Sequence, residues 1–266
     1  MSSATITTSA RLMNSTPQTE EQAMVRKVAV SSFLGNFIEW FDYASYSYFA
    51  TTIALVFFPT DNHTVAMLQT FGVFALSFIL RPIGALFWGS YGDKKGRKAA
   101  LAHSIMFMSG ASFLIGCLPS YSVIGVGAPI LLLLLRMVQG FSASGEYAGA
   151  ATFLGEYAPT SKRGIYCSLI PASTAIGLLA GSTLATLMTA NMNSSAMVGW
   201  GWRVPFLLAG PLGLIVLYIR AKLADSPVYQ SMNDALESKG AASADGQIAA
   251  KSGMFAPLAA LFHNHL

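Results

Sequence analysis

An all-helical membrane bundle is the fold class this sequence predicts, and three observations predict it. Hydrophobic residues make up 53% of the chain and charged residues only 11%, less than half the roughly 25% of a soluble globular domain. The apolar residues gather into six long runs, most near the ~20 residues that a helix needs to cross a bilayer and the first well beyond it. Polar segments separate the runs, and 13 of the 16 Lys and Arg fall in segments that share one side of the resulting zigzag. The positive-inside rule makes that side the cytoplasm. The net charge of +4 is therefore a topology signal and an attraction to anionic lipid head groups, not a nucleic-acid footprint.

The order of elements follows. Residues 1–24 are polar and Ser/Thr-rich and read as a disordered cytoplasmic tail. Helix 1 is expected over about 28–58, too long and too acidic for a signal peptide. It carries Glu39 and Asp42, three residues apart and so on one helix face. Pro59 to His63 turns outside, and helix 2 runs over about 64–88 with Arg81-Pro82 inside it, where the proline is expected to kink it. A polar loop, Gly89-Ser-Tyr-Gly-Asp93-Lys-Lys-Gly96-Arg97-Lys98, returns the chain to helix 3, about 99–118. Four cations in the five positions after Asp93 cannot sit in hydrocarbon and fix this loop at the cytoplasmic face.

Helix 4, about 127–154, contains Arg136, Gln139 and Glu146; the loop after it holds Glu156, Lys162 and Arg163. Helix 5, about 165–188, is uncharged and carries Gly177-x-x-x-Gly181, which with Gly145-x-x-x-Gly149 signals close helix packing. Trp200-Gly-Trp202-Arg203 reads as an interfacial anchor before helix 6, about 204–219, also uncharged. Residues 25–220 thus form a six-helix bundle with both ends in the cytoplasm, and 221–266 form a linker leading toward an absent seventh helix. Cys117 and Cys167 are expected near opposite membrane faces, too far apart for a disulfide. Neither the cysteines nor His103, His263 and His265 show metal-ligand spacing, and no cofactor or catalytic motif stands out.

A charge inside a bilayer is costly and marks a functional site by default. Helices 1, 2 and 4 carry Glu39, Asp42, Arg81, Arg136 and Glu146, so these three helices are expected to face a wet or protein-lined interior. Counted along the helices, Asp42 lies roughly 21 Å from the cytoplasmic start of helix 1, and Arg136 lies roughly 13 Å from the outer start of helix 4. In a core about 30 Å thick these depths agree, so Glu39, Asp42 and Arg136 can share one site. Arg136, Gln139, Gly140, Ala143 and Tyr147 line one stripe of helix 4, with Glu146 about 80° away.

Asp42, Glu39 and Glu146 are the proton-coupling candidates; Arg136, Gln139, Tyr147 and Arg81 are the substrate-binding ones. Burial disfavours a carboxylate's charged form and a nearby guanidinium favours it, and a substrate anion competing for Arg136 would tip that balance. Each candidate has a second reading. Arg136 forms a fixed structural ion pair, and Arg81 snorkels to the cytoplasmic interface.

The polar loop resembles the loop between the second and third helices of the major facilitator superfamily, Gly-x-x-x-Asp-(Arg/Lys)-x-Gly-Arg-(Arg/Lys), at Gly89, Asp93, Lys94, Gly96, Arg97 and Lys98. Further stretches are similar to its metabolite:proton symporter branch, which carries proline/betaine, 2-oxoglutarate, citrate and shikimate. These are Gly35-Asn-Phe-Ile-Glu39-Trp-Phe-Asp42, Leu80-Arg81-Pro82, Arg136-Met-Val-Gln139-Gly140 through Gly145-Glu146-Tyr147, Glu156-Tyr-Ala-Pro to Lys162-Arg163-Gly164, and Trp200 to Phe206. The resemblance implies two six-helix bundles with a small carboxylate or zwitterion bound between them and a proton moving inward. Of these bundles the chain holds the first only. It also implies that Gly89, Asp93, Gly96, Arg97, Lys98, Glu156 and Arg163 gate the carrier, with Glu156 the local partner of Arg97. The alternative is a non-transporting remnant, or a half-transporter that assembles with another chain.

Overall fold

The computed structural model describes residues 15–223 and residue 231. Residues 1–14 of the expected tail, and the linker beyond residue 223 apart from Ser231, lie outside the described residues. Helix α1 spans Ser15–Tyr48 and so begins well before the expected start near residue 28, with Pro17 in its first turn, where the missing N–H breaks no hydrogen bond. It is followed by α2 (Ala50–Phe57), α3 (His63–Ile79), α4 (Arg81–Lys95) and α5 (Arg97–Cys117). The short α6 (Tyr121–Ile124) leads to α7 (Gly127–Ala143) and α8 (Glu146–Tyr157). A single 3-10 turn at Thr160–Lys162 precedes α9 (Arg163–Cys167) and α10 (Leu169–Asn191). Last come α11 (Ser194–Ala196), a π turn at Met197–Gly201, and α12 (Arg203–Ala221).

Among the described residues, five helical stretches are long and apolar enough to cross a membrane: His63–Lys95, Arg97–Cys117, Gly127–Tyr157, Thr160–Asn191 and Ser194–Ala221. The α1–α2 stretch, the first of the six expected segments, is long enough but more polar. Its Ser31, Ser32, Asn36, Glu39, Asp42 and Ser45 are all buried. This helix packs against α8, α10 and α12, so protein rather than lipid surrounds most of it and an apolar surface is not required. Elsewhere, exposed residues such as Leu68, Ile79, Leu179 and Leu214 form the apolar exterior.

The ten-residue polar loop turns out to be mostly helix. Helix α4 runs through it to Lys95, and Gly96 alone makes the turn, at φ 93°, where a β-carbon would clash. The break in the second segment lies at Leu80, and Pro82 sits in the first turn of α4, where its missing donor is tolerated. Asn62 starts α3 by accepting hydrogen bonds at Oδ1 from the Thr64 and Val65 backbone N–H groups.

Helices within a membrane associate through close packing more than through the hydrophobic effect. A β-carbon at Gly177 would fall 2.8 Å from the Phe37 carbonyl oxygen, and one at Gly181 would fall 2.6 Å from Ala44 Cβ. The Gly-x-x-x-Gly pair of α10 is thus where α1 docks. Asn36 adds hydrogen bonds across the same contact, to Ser173 Oγ at 2.8 Å and the Ile170 carbonyl at 3.0 Å. Trp202, expected as an interfacial anchor, is instead fully buried. It packs edge-on against Phe57 and near Phe206, and Trp200 is the exposed member of the pair. Trp202 directly follows the π turn, and Arg203 closes the same end by donating to the Leu118 and Gly199 carbonyls. Cys117 and Cys167 are both free thiols.

Candidate functional site

Among the described residues, three carboxylate–arginine pairs are buried or half-buried within the bundle. The first joins α1 to α7. Asp42 and Arg136 are 4% and 0% exposed, and Arg136 Nη1 donates to Asp42 Oδ2 at 2.7 Å. The other carboxylate oxygen, Oδ1, accepts from Ser112 Oγ at 2.8 Å and Gln139 Nε2 at 3.1 Å. Gln139 also donates to Ser112. The guanidinium carbon of Arg136 stands 3.7 Å from the Tyr46 ring centroid, a cation–π distance. Tyr46 is itself held by donating to the Thr70 carbonyl at 2.9 Å. The matching depths of Asp42 and Arg136 read from the sequence are thus realised as a direct contact.

Arg136 keeps two buried nitrogens, Nε and Nη2, without a hydrogen-bond partner, as Gln139 does its Oε1. A fully buried guanidinium with one ionic contact is incompletely satisfied. Its carboxylate partner, by contrast, has both oxygens engaged.

The second pair joins α1 to α4. Arg81 Nη2 donates to Glu39 Oε1 at 2.7 Å and also to the Tyr43 hydroxyl. Glu39 is 2% exposed and the Arg81 side chain 27%. Glu39 does not meet Arg136; the two acids of α1 take separate arginines. Snorkelling of Arg81 to the basic end is corrected here. Because α4 continues to Lys95, the basic segment begins thirteen residues on, roughly 20 Å away at 1.5 Å per residue, beyond the reach of one side chain. The guanidinium turns to Glu39 and lies over the Phe78 and Tyr43 rings at 4.5 and 5.0 Å.

The third pair was not anticipated. Arg220, counted from the sequence among the cytoplasmic cations, is 2% exposed and binds Glu146 of α8. Both Glu146 oxygens are engaged: Nη2 of Arg220 reaches Oε1, and Nη1 reaches Oε2 at 3.1 Å beside a hydrogen bond from Ser104 Oγ at 3.1 Å. Arg220 also donates to the Leu101 carbonyl and to Ser31 Oγ. The pair therefore ties α1, α5, α8 and α12 together.

Tyr147, placed by regular helix geometry on the Arg136 stripe, is 44% exposed, whereas Glu146, placed off it, is buried. The helix is interrupted between Ala143 and Glu146. At the basic end, Arg97 pairs with Asp93 at 2.9 Å across the Gly96 turn, correcting the expected Arg97–Glu156 contact. Glu156 is half-buried and its Oε2 has no hydrogen-bond partner; Arg163 is exposed at the start of α9. A cavity of about 760 Å³ opens between α1 and the segment 159–169, lined by Arg26, Phe33, Leu34 and Lys162, away from all three pairs.

Comparison with known proteins places the chain. The family model described as sugar (and other) transporter matches residues 27–253. The chain is 42% identical over 217 residues to a proline/betaine transporter of Salmonella typhimurium, covering 82% of this chain and 43% of that protein. The same identity and coverage hold for the glycine betaine/proline/ectoine/pipecolic acid transporter OusA of Dickeya dadantii. The chain thus spans less than half the length of these relatives. Among solved structures it is similar to the partially occluded inward-open xylose transporter XylE from E. coli, with a TM-score of 0.71 at 17% identity over 79% of this chain and 52% of that one. That likeness shows the bundle fold. This multi-pass membrane chain belongs to the sugar (and other) transporter family.

Proposed function

We propose that this bundle is one half of a secondary active transporter that moves a small zwitterion of the proline or betaine kind together with a proton. The observation that carries the reading is the Asp42–Arg136 pair, buried at mid-bundle with the guanidinium incompletely satisfied. A symporter needs an acid whose protonation depends on occupancy. Neutralising Asp42 frees Arg136, and a substrate-driven shift of α1 that parts the two favours protonation of Asp42. The names of the 42% identical relatives support the substrate class. Both acids have their oxygens engaged, but Arg220 uses its donors fully at Glu146 whereas Arg136 keeps two idle, so Asp42 is the stronger coupling candidate.

In this reading residues 25–220 form the bundle, the basic end at Lys94 to Lys98 faces the cytoplasm with both chain ends, and the membrane is the bacterial inner membrane. A second six-helix bundle supplies the opposite wall. Asp93, Arg97 and the surrounding glycines act in conformational gating. In proteoliposomes, the carrier containing this bundle should accumulate glycine betaine or proline under an inwardly directed proton gradient and lose that accumulation on adding an uncoupler. Accumulation that ignores the gradient would contradict proton coupling.

A further inference from the structure

The two acids of α1 are three residues apart, yet their surroundings differ in access. Arg136 is 0% exposed and closed over by Tyr46. Arg81 is 27% exposed, and the Phe78 ring beside it is 39% exposed. Glu39 is almost fully buried, yet its Oε2 has no hydrogen-bond partner, and neither has Arg81 Nε. Glu39 therefore holds a buried, unused anionic oxygen next to a part-exposed cation, the part-exposed Phe78 ring and the buried Tyr43 ring. Tyr43, Phe74 and Phe78 hold those faces in place through mutual edge and tilted contacts with centroids 5.2–5.8 Å apart.

From this we infer that Glu39, Arg81, Tyr43 and Phe78 form the site that recognises the two charged ends of the zwitterion, with the carboxylate on Arg81 and the ammonium against Glu39 Oε2 and the ring faces. The inference rests on the transporter reading above and separates its two tasks: coupling at Asp42–Arg136, recognition at Glu39–Arg81. The chemistry fits a quaternary or secondary ammonium. A trimethylammonium group cannot donate a hydrogen bond, so it is held by Coulomb attraction and by aromatic faces. The Arg81 guanidinium lies over the Tyr43 and Phe78 faces, and turning to the substrate carboxylate uncovers them for the ammonium. A zwitterion also satisfies both members of the pair at once, so neither charge is left buried and unpaired when the substrate enters.

The decisive comparison uses glycine betaine and 3,3-dimethylbutyrate, a neutral-headed isostere that keeps the carboxylate and loses only the positive charge. Binding to the carrier containing this bundle, in nanodiscs, is measured by calorimetry. The unaltered protein should prefer betaine by about tenfold or more. Glu39→Gln should bring the ratio close to one. Arg81→Gln should weaken both ligands together. Phe78→Leu keeps an apolar side chain at a partly exposed position; it should lower the ratio several-fold without touching Glu39. A betaine preference unchanged in both Glu39→Gln and Phe78→Leu overturns the assignment, as does failure of the unaltered protein to distinguish the two ligands. Loss of pH-driven accumulation with these binding ratios intact would overturn proton coupling and leave the recognition site standing.

Discussion

The Asp42–Arg136 and Glu146–Arg220 pairs are both buried guanidinium–carboxylate contacts, and they are built for different ends. At Glu146 both carboxylate oxygens and several guanidinium donors are used, and four helices meet there. At Asp42 the carboxylate is satisfied by Arg136, Ser112 and Gln139, but the arginine keeps two buried donors idle. A pair with every donor and acceptor used has one stable arrangement. One with unused donors has somewhere else to go, and a group that must change partners during a transport cycle needs that freedom.

The sharpest way to break the comparison is to remove one partner of the fully engaged pair. Arg220→Gln leaves Glu146 buried without its counter-charge, and the bundle should lose about 3–5 kcal/mol, read as a lowered midpoint of thermal unfolding in detergent. An unshifted midpoint would mean that this pair is not a clamp. Gly35 offers an independent route to the same contact, because a β-carbon there would collide with Glu146 Oε1 and Arg220 Nη2. Gly35→Ala should therefore destabilise the bundle by about 1–3 kcal/mol, the range for overpacking.

Changes around Asp42 should act on coupling more than on folding. Ser112→Ala removes one hydrogen bond to Oδ1 at a cost of about 1 kcal/mol, and it should shift the pH dependence of uptake while exchange persists. The smallest effect belongs to the basic end. Asp93 is 59% exposed in its pair with Arg97, so Asp93→Asn should change stability by only about 0–1 kcal/mol. Any consequence should lie in the rates of conformational change.

Much of this arrangement is legible in the sequence where helix geometry is regular. The depths of Asp42 and Arg136 follow from counting residues along uninterrupted helices, and the glycine spacing of α10 marks its docking face. Legibility fails where the backbone departs from regularity or where an apolar window ends. The fourth segment is interrupted at Ser144–Gly145, and just beyond it Glu146 is buried and Tyr147 exposed. Arg220 follows the last apolar residues of α12 and so reads as a solvated cation, although its long side chain turns back into the bundle. Arg81 reads as lying near the interface only if the basic segment is a loop; continued as helix, the same residues place it deep. Ser112 and Asn36 carry no signal of their own, because a lone serine or asparagine in an apolar run does not name its partner.

The central claim is that Asp42 carries the coupled proton, and its most direct test is transport by the Asp42→Asn carrier in proteoliposomes with and without a pH gradient. The account predicts that exchange of labelled glycine betaine across the membrane persists while gradient-driven accumulation disappears. Accumulation at the unaltered level in that variant would contradict it and move the coupling role to another acid.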